Sequence, residues 1–236
     1  MTREEIVSKA KYIQFPYNNE AHRDYYSDVC VHKLPIIPDG NVLYTNMKGN
    51  EHHYTTEYTY KYVLPLIAEL LSFKFDMNDF DLIDCKQPEW DISYIVPKQK
   101  YEYEIFNYVK RTHLSCDYTG LFKPIFETTH TYRELYRYPH QCSSILNKTL
   151  QSERRLMISG DSQIIPSINP LTNYFKEVWY FDNRTGYYKG KGDNELTFHK
   201  DEFVSYSDFY KNVEFTDVLI QCYCRKLEWY QYYNLQ

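Results

Sequence analysis

The sequence predicts an α/β domain built on a central, mostly parallel sheet. Three observations lead to that fold class. Apolar segments rich in β-branched and aromatic residues recur in the last third of the chain, over 155–159, 177–182 and 215–223. The stretches between them are long enough for crossover connections, and 163–175 reads as a helix, so neighbouring strands run parallel. The strand segments are apolar runs without clean alternation, the pattern of strands buried on both faces.

The elements follow in chain order. Residues 1–40 read as an irregular N-terminal segment with a helix over 3–12 and breakers at Pro16, Pro35 and Pro38. Asn41-Val42-Leu43-Tyr44-Thr45, after the Asp39-Gly40 turn, reads as a short strand. Thr55 and Thr56 both suit a helix N-cap, and Glu57 falls in the first turn. Behind them Tyr58, Tyr62, Leu66 and Leu70 recur at spacing four, with Val63 and Ile67 beside them, which predicts one apolar helical face over 56–73. Alternation in Trp90-Asp91-Ile92-Ser93-Tyr94-Ile95-Val96 and in Tyr101-Glu102-Tyr103-Glu104-Ile105-Phe106 predicts two strands, paired around Pro97-Lys98-Gln99-Lys100. They fall in an inserted, partly β region spanning 74–150. The helix over 163–175 is broken or kinked near Pro166 or Pro170.

With 236 residues, 43% of them apolar and 25% charged, the chain reads as one globular domain able to bury its own core. The net charge of -5 and the lack of any basic run of five or more exclude nucleic acid as a partner, because phosphate binding needs clustered Lys and Arg. The 27 tyrosines have two readings that can hold together: flat faces with polar rims suited to sugar rings, and the codon usage of an AT-rich genome. The N-terminus Met1-Thr2-Arg3-Glu4-Glu5-Ile6 lacks the apolar core of a secretory signal. The longest apolar stretch, 63–71, carries Pro65 and Glu69 and is too short to span a bilayer. The expectation is a cytoplasmic chain with no membrane span. Six scattered cysteines without a CxxC read as reduced, mostly buried thiols, and neither a metal site nor a cofactor is expected.

Chemistry concentrates at Gly160-Asp161-Ser162, where an apolar strand ends and a helix begins. Sites in open α/β sheets form beyond the carboxyl ends of the strands. A serine there meets backbone N–H groups that favour developing negative charge. Gly160 permits a tight turn and close approach of substrate. The same serine also reads as a plain helix N-cap. A serine nucleophile needs a base and an acid that orients it. Among the eight histidines, His53 in Asn50-Glu51-His52-His53-Tyr54-Thr55 is the best placed, because Glu51 and His53 are two apart and share a side in an extended loop. The competing reading is a solvated loop with two surface histidines.

These segments together resemble a known family. Tyr44-Thr45-Asn46, then Asn50-Glu51-His52-His53-Tyr54-Thr55 and an apolar helix, resembles the Asp-His-His-Trp (DHHW) motif in the alginate O-acetyltransferase-like branch of the SGNH hydrolase-like superfamily. Residues 155–162 look like the family's nucleophile strand, 175–184 like the next strand, and 217–225 like the final one, so the resemblance covers residues 41–226. It implies an SGNH, flavodoxin-like, three-layer fold in permuted order, with acid and histidine before the serine. It implies Ser162 as nucleophile, His53 as general base and Glu51 as the orienting acid, where the family usually has Asp. Tyr54 stands in place of the motif's Trp. Gly160, Asp161, Asn183, Arg184 and Tyr54 would line the oxyanion and substrate site, with the backbone N–H of Ser162 as first oxyanion donor. Arg184 equally reads as an ion-pair partner of Asp182 or Asp161. There is no clear Gly-x-Asn-Asp block.

The implied function is acyl transfer, most simply of acetyl, to or from a carbohydrate hydroxyl through an acyl-Ser162 intermediate, as in bacterial capsular or other polysaccharide O-acetylation. The implied partners are an acyl donor, a polysaccharide acceptor and a membrane-bound acyl carrier protein. Family members usually carry an anchor or export signal and work outside the cytoplasm. A carbohydrate acetylesterase, or a catalytically inactive glycan-binding or assembly protein on the same fold, is the alternative, since fold does not fix function.

Overall fold

A computed structural model of the chain describes residues 1–15, 56–87, 90–107, 112–117, 142–160, 163–182 and 213–223. The helices are α1 (Arg3–Lys9), α2 (Thr56–Tyr58), α3 (Leu64–Leu70) and α4 (Ile165–Leu171). The strands are β1 (Ala10–Phe15), β2 (Phe80–Gln87), β3 (Trp90–Pro97), β4 (Glu102–Asn107), β5 (Thr112–Asp117), β6 (Cys142–Asn147), β7 (Arg155–Gly160), β8 (Glu177–Asp182) and β9 (Asp217–Tyr223). Among the described residues, seven strands form one sheet in the order β1-β9-β7-β8-β6-β4-β5, and β2 and β3 form a separate hairpin. The half made of β1, β9, β7 and β8 is parallel throughout. From β8 outward, β6, β4 and β5 pair antiparallel. The α/β class and the parallel strands around β7 agree with the sequence reading, and the 74–150 region supplies the antiparallel extension and the hairpin.

The parallel strands are buried on both faces, which explains their unbroken apolar runs. Leu156 and Ile158 of β7, Val178 and Tyr180 of β8 and Leu219 of β9 pack into one cluster, roofed by Leu64 and Ile67 of α3 and Ile165, Ile168 and Leu171 of α4. Met157, Trp179, Phe181 and Val218 face the other way, against Ile6 of α1 and Phe215. The result is helix, sheet and helix in three layers. Each fully buried Leu or Ile contributes roughly 1.5–3 kcal/mol, so this two-sided burial dominates the stability of the region. Among the described residues no helix is long and apolar enough to cross a membrane.

Three local readings change in the structure. The N-terminal helix stops at Lys9, and 10–15 form a strand at one edge of the central sheet. Residues 3–15 are therefore regular, while 16–40 lie outside the described residues. Thr2 and Glu5 cap α1 reciprocally: the Glu5 N–H donates to Thr2 Oγ1 at 3.2 Å, and the Thr2 N–H donates to Glu5 Oε2 at 2.6 Å. The chain then leaves the helix because β1 can pair in parallel register with β9, Ala10 opposite Val218, a gain local propensity does not contain.

The helix expected over 56–73 is present but carries a π-helical turn over Thr59–Val63, in which the Leu64 N–H donates to the Thr59 carbonyl. Pro65 lies in the first turn of α3 and has no N–H to give a regular ladder. The wider turn narrows the inward stripe to the Val63 and Ile67 side of the expected face. Val63, Ile67 and Leu71 are buried behind Tyr58, while Tyr62, Leu66 and Leu70 are only half-buried. A one-residue insertion of this kind is the usual form of a π-bulge.

The two strands expected to pair around residues 97–100 exist but do not pair. β3 pairs antiparallel with β2, from Phe80 opposite Pro97 to Gln87 opposite Trp90. β4 pairs with β5 and β6. The partner of β3 lies two residues upstream along the chain, an even tighter connection than the one expected. The Lys98 N–H donates to the Asp79 carbonyl at 2.9 Å and closes that hairpin, whereas the Lys148 N–H donates to the Glu102 carbonyl at 2.8 Å and ties the start of β4 to the end of β6. Alternation identifies strands but not their neighbours. Fully buried Asn147 fixes the end of β6: its Nδ2 donates to the Thr172 carbonyl at 2.9 Å, and its Oδ1 accepts from the N–H groups of Thr149 and Leu150.

Candidate active site

The carboxyl ends of the parallel strands come to one edge of the sheet. Gly160 at the end of β7 lies opposite Asp182 at the end of β8, and Phe15 lies opposite Tyr223 where β1 and β9 end. This edge of an open α/β sheet is where sites form. In sequence, Asp161 and Ser162 follow Gly160 directly, and Asn183 and Arg184 follow Asp182. Asp161, Ser162, Asn183, Arg184, Glu51, His53 and Tyr54 lie outside the described residues, as does the short strand expected at 41–45. Gly160 is the expected site residue that the structure describes.

Its surroundings are tight. A Cβ on Gly160 would meet Ile164 Cγ2 at 2.7 Å, Gln221 Oε1 at 2.8 Å and Gln221 Cβ at 3.1 Å. Gly160 is an extended strand residue, so space rather than backbone conformation excludes a side chain here. The Tyr180 hydroxyl donates to the Gly160 carbonyl at 3.3 Å from the β8 side. Tyr180, Gln221 and Ile164 are all fully buried. Gln163, which follows Ser162 in the chain, is buried too. Four residues therefore converge on the strand end: Gly160 on β7, Tyr180 on β8, Gln221 on β9 and Ile164 just before α4.

Sequence reasoning missed three of these four, and Ile164 carries no signal apart from its place in the apolar pattern after the serine. Gln221 carries a usable signal, because it is a lone amide within the run Val218-Leu219-Ile220-Gln221. A polar residue at a two-sided buried position needs a reason. Tyr180 carries a weaker signal, since tyrosine is so common in this chain. The helix after the serine is also shorter than expected: α4 begins at Ile165, with Pro166 in its first turn and Pro170 inside it, and ends at Leu171. A helix of seven residues has little dipole to offer, so at this strand end the structure provides close packing of backbone, not the long helix that the apolar pattern predicts. Among the described residues no group of three or more His, Cys, Asp or Glu side chains is placed to hold a metal ion.

No family model matches the chain, and no curated protein does. Solved structures do match. Bacillus cereus PatB1, in a structure with a sulfonyl adduct, superposes with a TM-score of 0.60 at 15% identity, covering 94% of this chain and 84% of that one. A second structure of PatB1 gives a TM-score of 0.60 at 14% identity, with 94% and 85% covered. A DHHW family protein from Eubacterium siraeum gives a TM-score of 0.57 at 14% identity, with 94% and 80% covered. The chain shares their fold. That α/β architecture is consistent with the SGNH-like fold that the sequence resemblance implies, and the agreement extends over nearly the whole length of the chain. At such low identity the likeness concerns architecture, and residue roles rest on the chemistry of this chain's own sequence.

Proposed function

We propose that this chain is a serine-dependent O-acyltransferase that moves an acyl group, most simply acetyl, onto a carbohydrate hydroxyl. The observation that carries this reading is the position of Gly160. It is the last residue of a central parallel strand, packed too closely for any side chain, and the chain continues from it into Asp161-Ser162. The fold around it is shared with PatB1, which has been solved with a sulfonyl adduct, and sulfonyl groups attach to activated nucleophiles.

In this reading Ser162 Oγ attacks the acyl carbonyl carbon of the donor as His53 takes its proton, with Glu51 holding the imidazole tautomer. The backbone N–H of Ser162, with Asn183 or Arg184 beside it, stabilises the oxyanion. The donor's leaving group departs with that proton. A sugar hydroxyl then attacks the acyl-serine carbonyl, its proton passes to His53, and the Ser162 Oγ–acyl bond breaks as His53 returns that proton to Oγ. Water in place of the sugar gives the esterase outcome. The partners proposed are a polysaccharide acceptor and an acyl donor delivered by a membrane-bound carrier.

The test is turnover of p-nitrophenyl acetate, with an intact-mass search for an acyl adduct. Wild type is expected to turn over and to acquire one acetyl group, and Ser162→Ala to lose on the order of 10³-fold or more in rate. Equal rates in the two proteins would leave the glycan-binding alternative, which the Glu51 and Tyr54 departures from the motif favour.

A further inference from the structure

The β2–β3 hairpin stands apart from the central sheet, and β3 packs against α2 and α4. Both of those helices start at the carboxyl edge of the sheet and lead away from it. α4 begins soon after Gly160 ends β7. Beyond its last turn the Lys176 N–H donates to the Arg154 carbonyl at 2.8 Å, beside the start of β7. The helical run that opens with α2 comes down at the same place, because Arg154 Nη2 donates to the Leu71 carbonyl at 2.5 Å. From Thr56 to Leu71 that run measures about 22 Å, and the six residues of β7 span about 20 Å. α2 therefore stands level with the carboxyl edge.

The base of the hairpin lies near the other edge. Pro97 pairs with Phe80, and the Phe80 ring is 6.2 Å from that of Tyr174, just past the end of α4. Phe80, Ile95 and Val96 anchor this base in the main core. Traced back from Pro97, β3 rises along α4 to α2, and its eight residues span about 26 Å, more than the height of β7.

We infer that the far end of the hairpin, where Gln87 pairs with Trp90, stands at the carboxyl edge as a wall of the acyl-transfer site and limits the size of the acyl donor or acceptor that can enter. The inference rests on Ser162 being the nucleophile. In sequence, Glu51-His52-His53 leads into α2 and Gly160-Asp161-Ser162 leads into α4, so the two helices that β3 touches are the two that follow the proposed catalytic segments. A wall of this kind selects by clash: it leaves a small reagent unaffected and slows a large one.

The experiment uses the full chain and two sulfonyl fluorides, phenylmethanesulfonyl fluoride and the larger dansyl fluoride. Either reagent bonds Ser162 Oγ to its sulfur and expels fluoride, and the serine proton passes to the base. Second-order labelling rates are read by intact mass, beside p-nitrophenyl acetate turnover and a thermal melt. In one variant an Asn-Gly turn replaces residues 85–92 between the register partners Asp84 and Ser93. The milder variant is Trp90→Ala, and Ser162→Ala is the blank. Wild type is expected to label with the smaller reagent and Ser162→Ala with neither. Shortening the hairpin should raise the ratio of dansyl to phenylmethanesulfonyl labelling by about tenfold or more, and Trp90→Ala by about threefold or more. If the shortened chain loses its melting transition, Trp90→Ala decides. An unchanged ratio in the variants that still melt cooperatively would overturn the inference alone, and so would equal acceleration of both reagents. A wild-type protein that neither labels nor turns over the ester would overturn the acyl-transfer reading and this inference with it.

Discussion

Replacing Gly160 by alanine puts a methyl group where Ile164 Cγ2, Gln221 Oε1 and Gln221 Cβ leave 2.7, 2.8 and 3.1 Å. The glutamine tip could swing aside in open space, but Gln221 is fully buried, and the isoleucine methyl is held by the core. Overpacking of this kind costs about 1–3 kcal/mol. Alanine also restricts the unfolded chain, which offsets about 0.4–1 kcal/mol. The net expectation is a loss of about 1–2 kcal/mol, read as a lower urea midpoint with an unchanged m value. For a chain of this size that is a fall of roughly 2–8 °C in Tm. A second variant identifies the clash as the cause. Ile164→Ala alone costs about 2–5 kcal/mol by leaving a cavity. In the double variant the new methyl enters that cavity, so its loss should fall short of the sum of the two single losses by about 0.5–3 kcal/mol. Gly160→Ala as stable as wild type, with strictly additive losses in the double variant, would refute the view that this strand end is closed by contact.

Two further outcomes concern the opposite end of the sheet, six residues of β7 away. Arg154 donates through Nε and Nη2 to both carboxylate oxygens of Asp217, at 3.1 and 2.5 Å, and through Nη2 to the Leu71 carbonyl at 2.5 Å, with its guanidinium 4.7 Å from the centre of the Phe175 ring. Arg154→Lys keeps the charge but loses the fork and is expected to cost about 1–2 kcal/mol in urea unfolding; because Gly160 is untouched, sulfonyl labelling should not change, and slowed labelling would count against the separation of the two ends. Burial, with Asp79 and Asp76 nearby, pushes the Tyr174 phenol up to about 12, against a smaller lowering by the Asp76 N–H. The folded state thus keeps a proton that the unfolded state loses near pH 10, so stability should fall as pH rises from 10 toward 12 and stay flat below that. Tyr174→Phe should flatten the alkaline limb of a denaturation series, and an unchanged limb would place the titration elsewhere.

The cores of β7, β8 and β9 were legible in the sequence because burial on both faces demands an apolar run, and an apolar run needs no knowledge of the partner. The helical stripe behind Tyr58 was legible for a similar reason, and its Val63 and Ile67 are buried, but beyond the π turn Leu71 lies inward while Leu66 and Leu70 are only half-buried. The first half of β1 was read as helix and the rest as irregular chain because its strand character comes from β9, and the contact of Lys9 Nζ with the Phe215 carbonyl spans 206 residues. β3 and β4 were recognised as strands and given the wrong partners, since alternation reports which side of a strand is buried and says nothing of what lies beside it. At the candidate site the division is sharper. Gly160-Asp161-Ser162 and Glu51-His52-His53 are written in the chain as residue types suited to nucleophilic catalysis. The closure around Gly160 by Tyr180, Gln221 and Ile164 is a matter of distance among three separate elements. Composition and periodicity are properties of neighbours along the chain. Which side chains share a few ångströms of space is settled only when strands choose their order in the sheet, because that choice depends on the summed burial of the whole core and not on any local stretch.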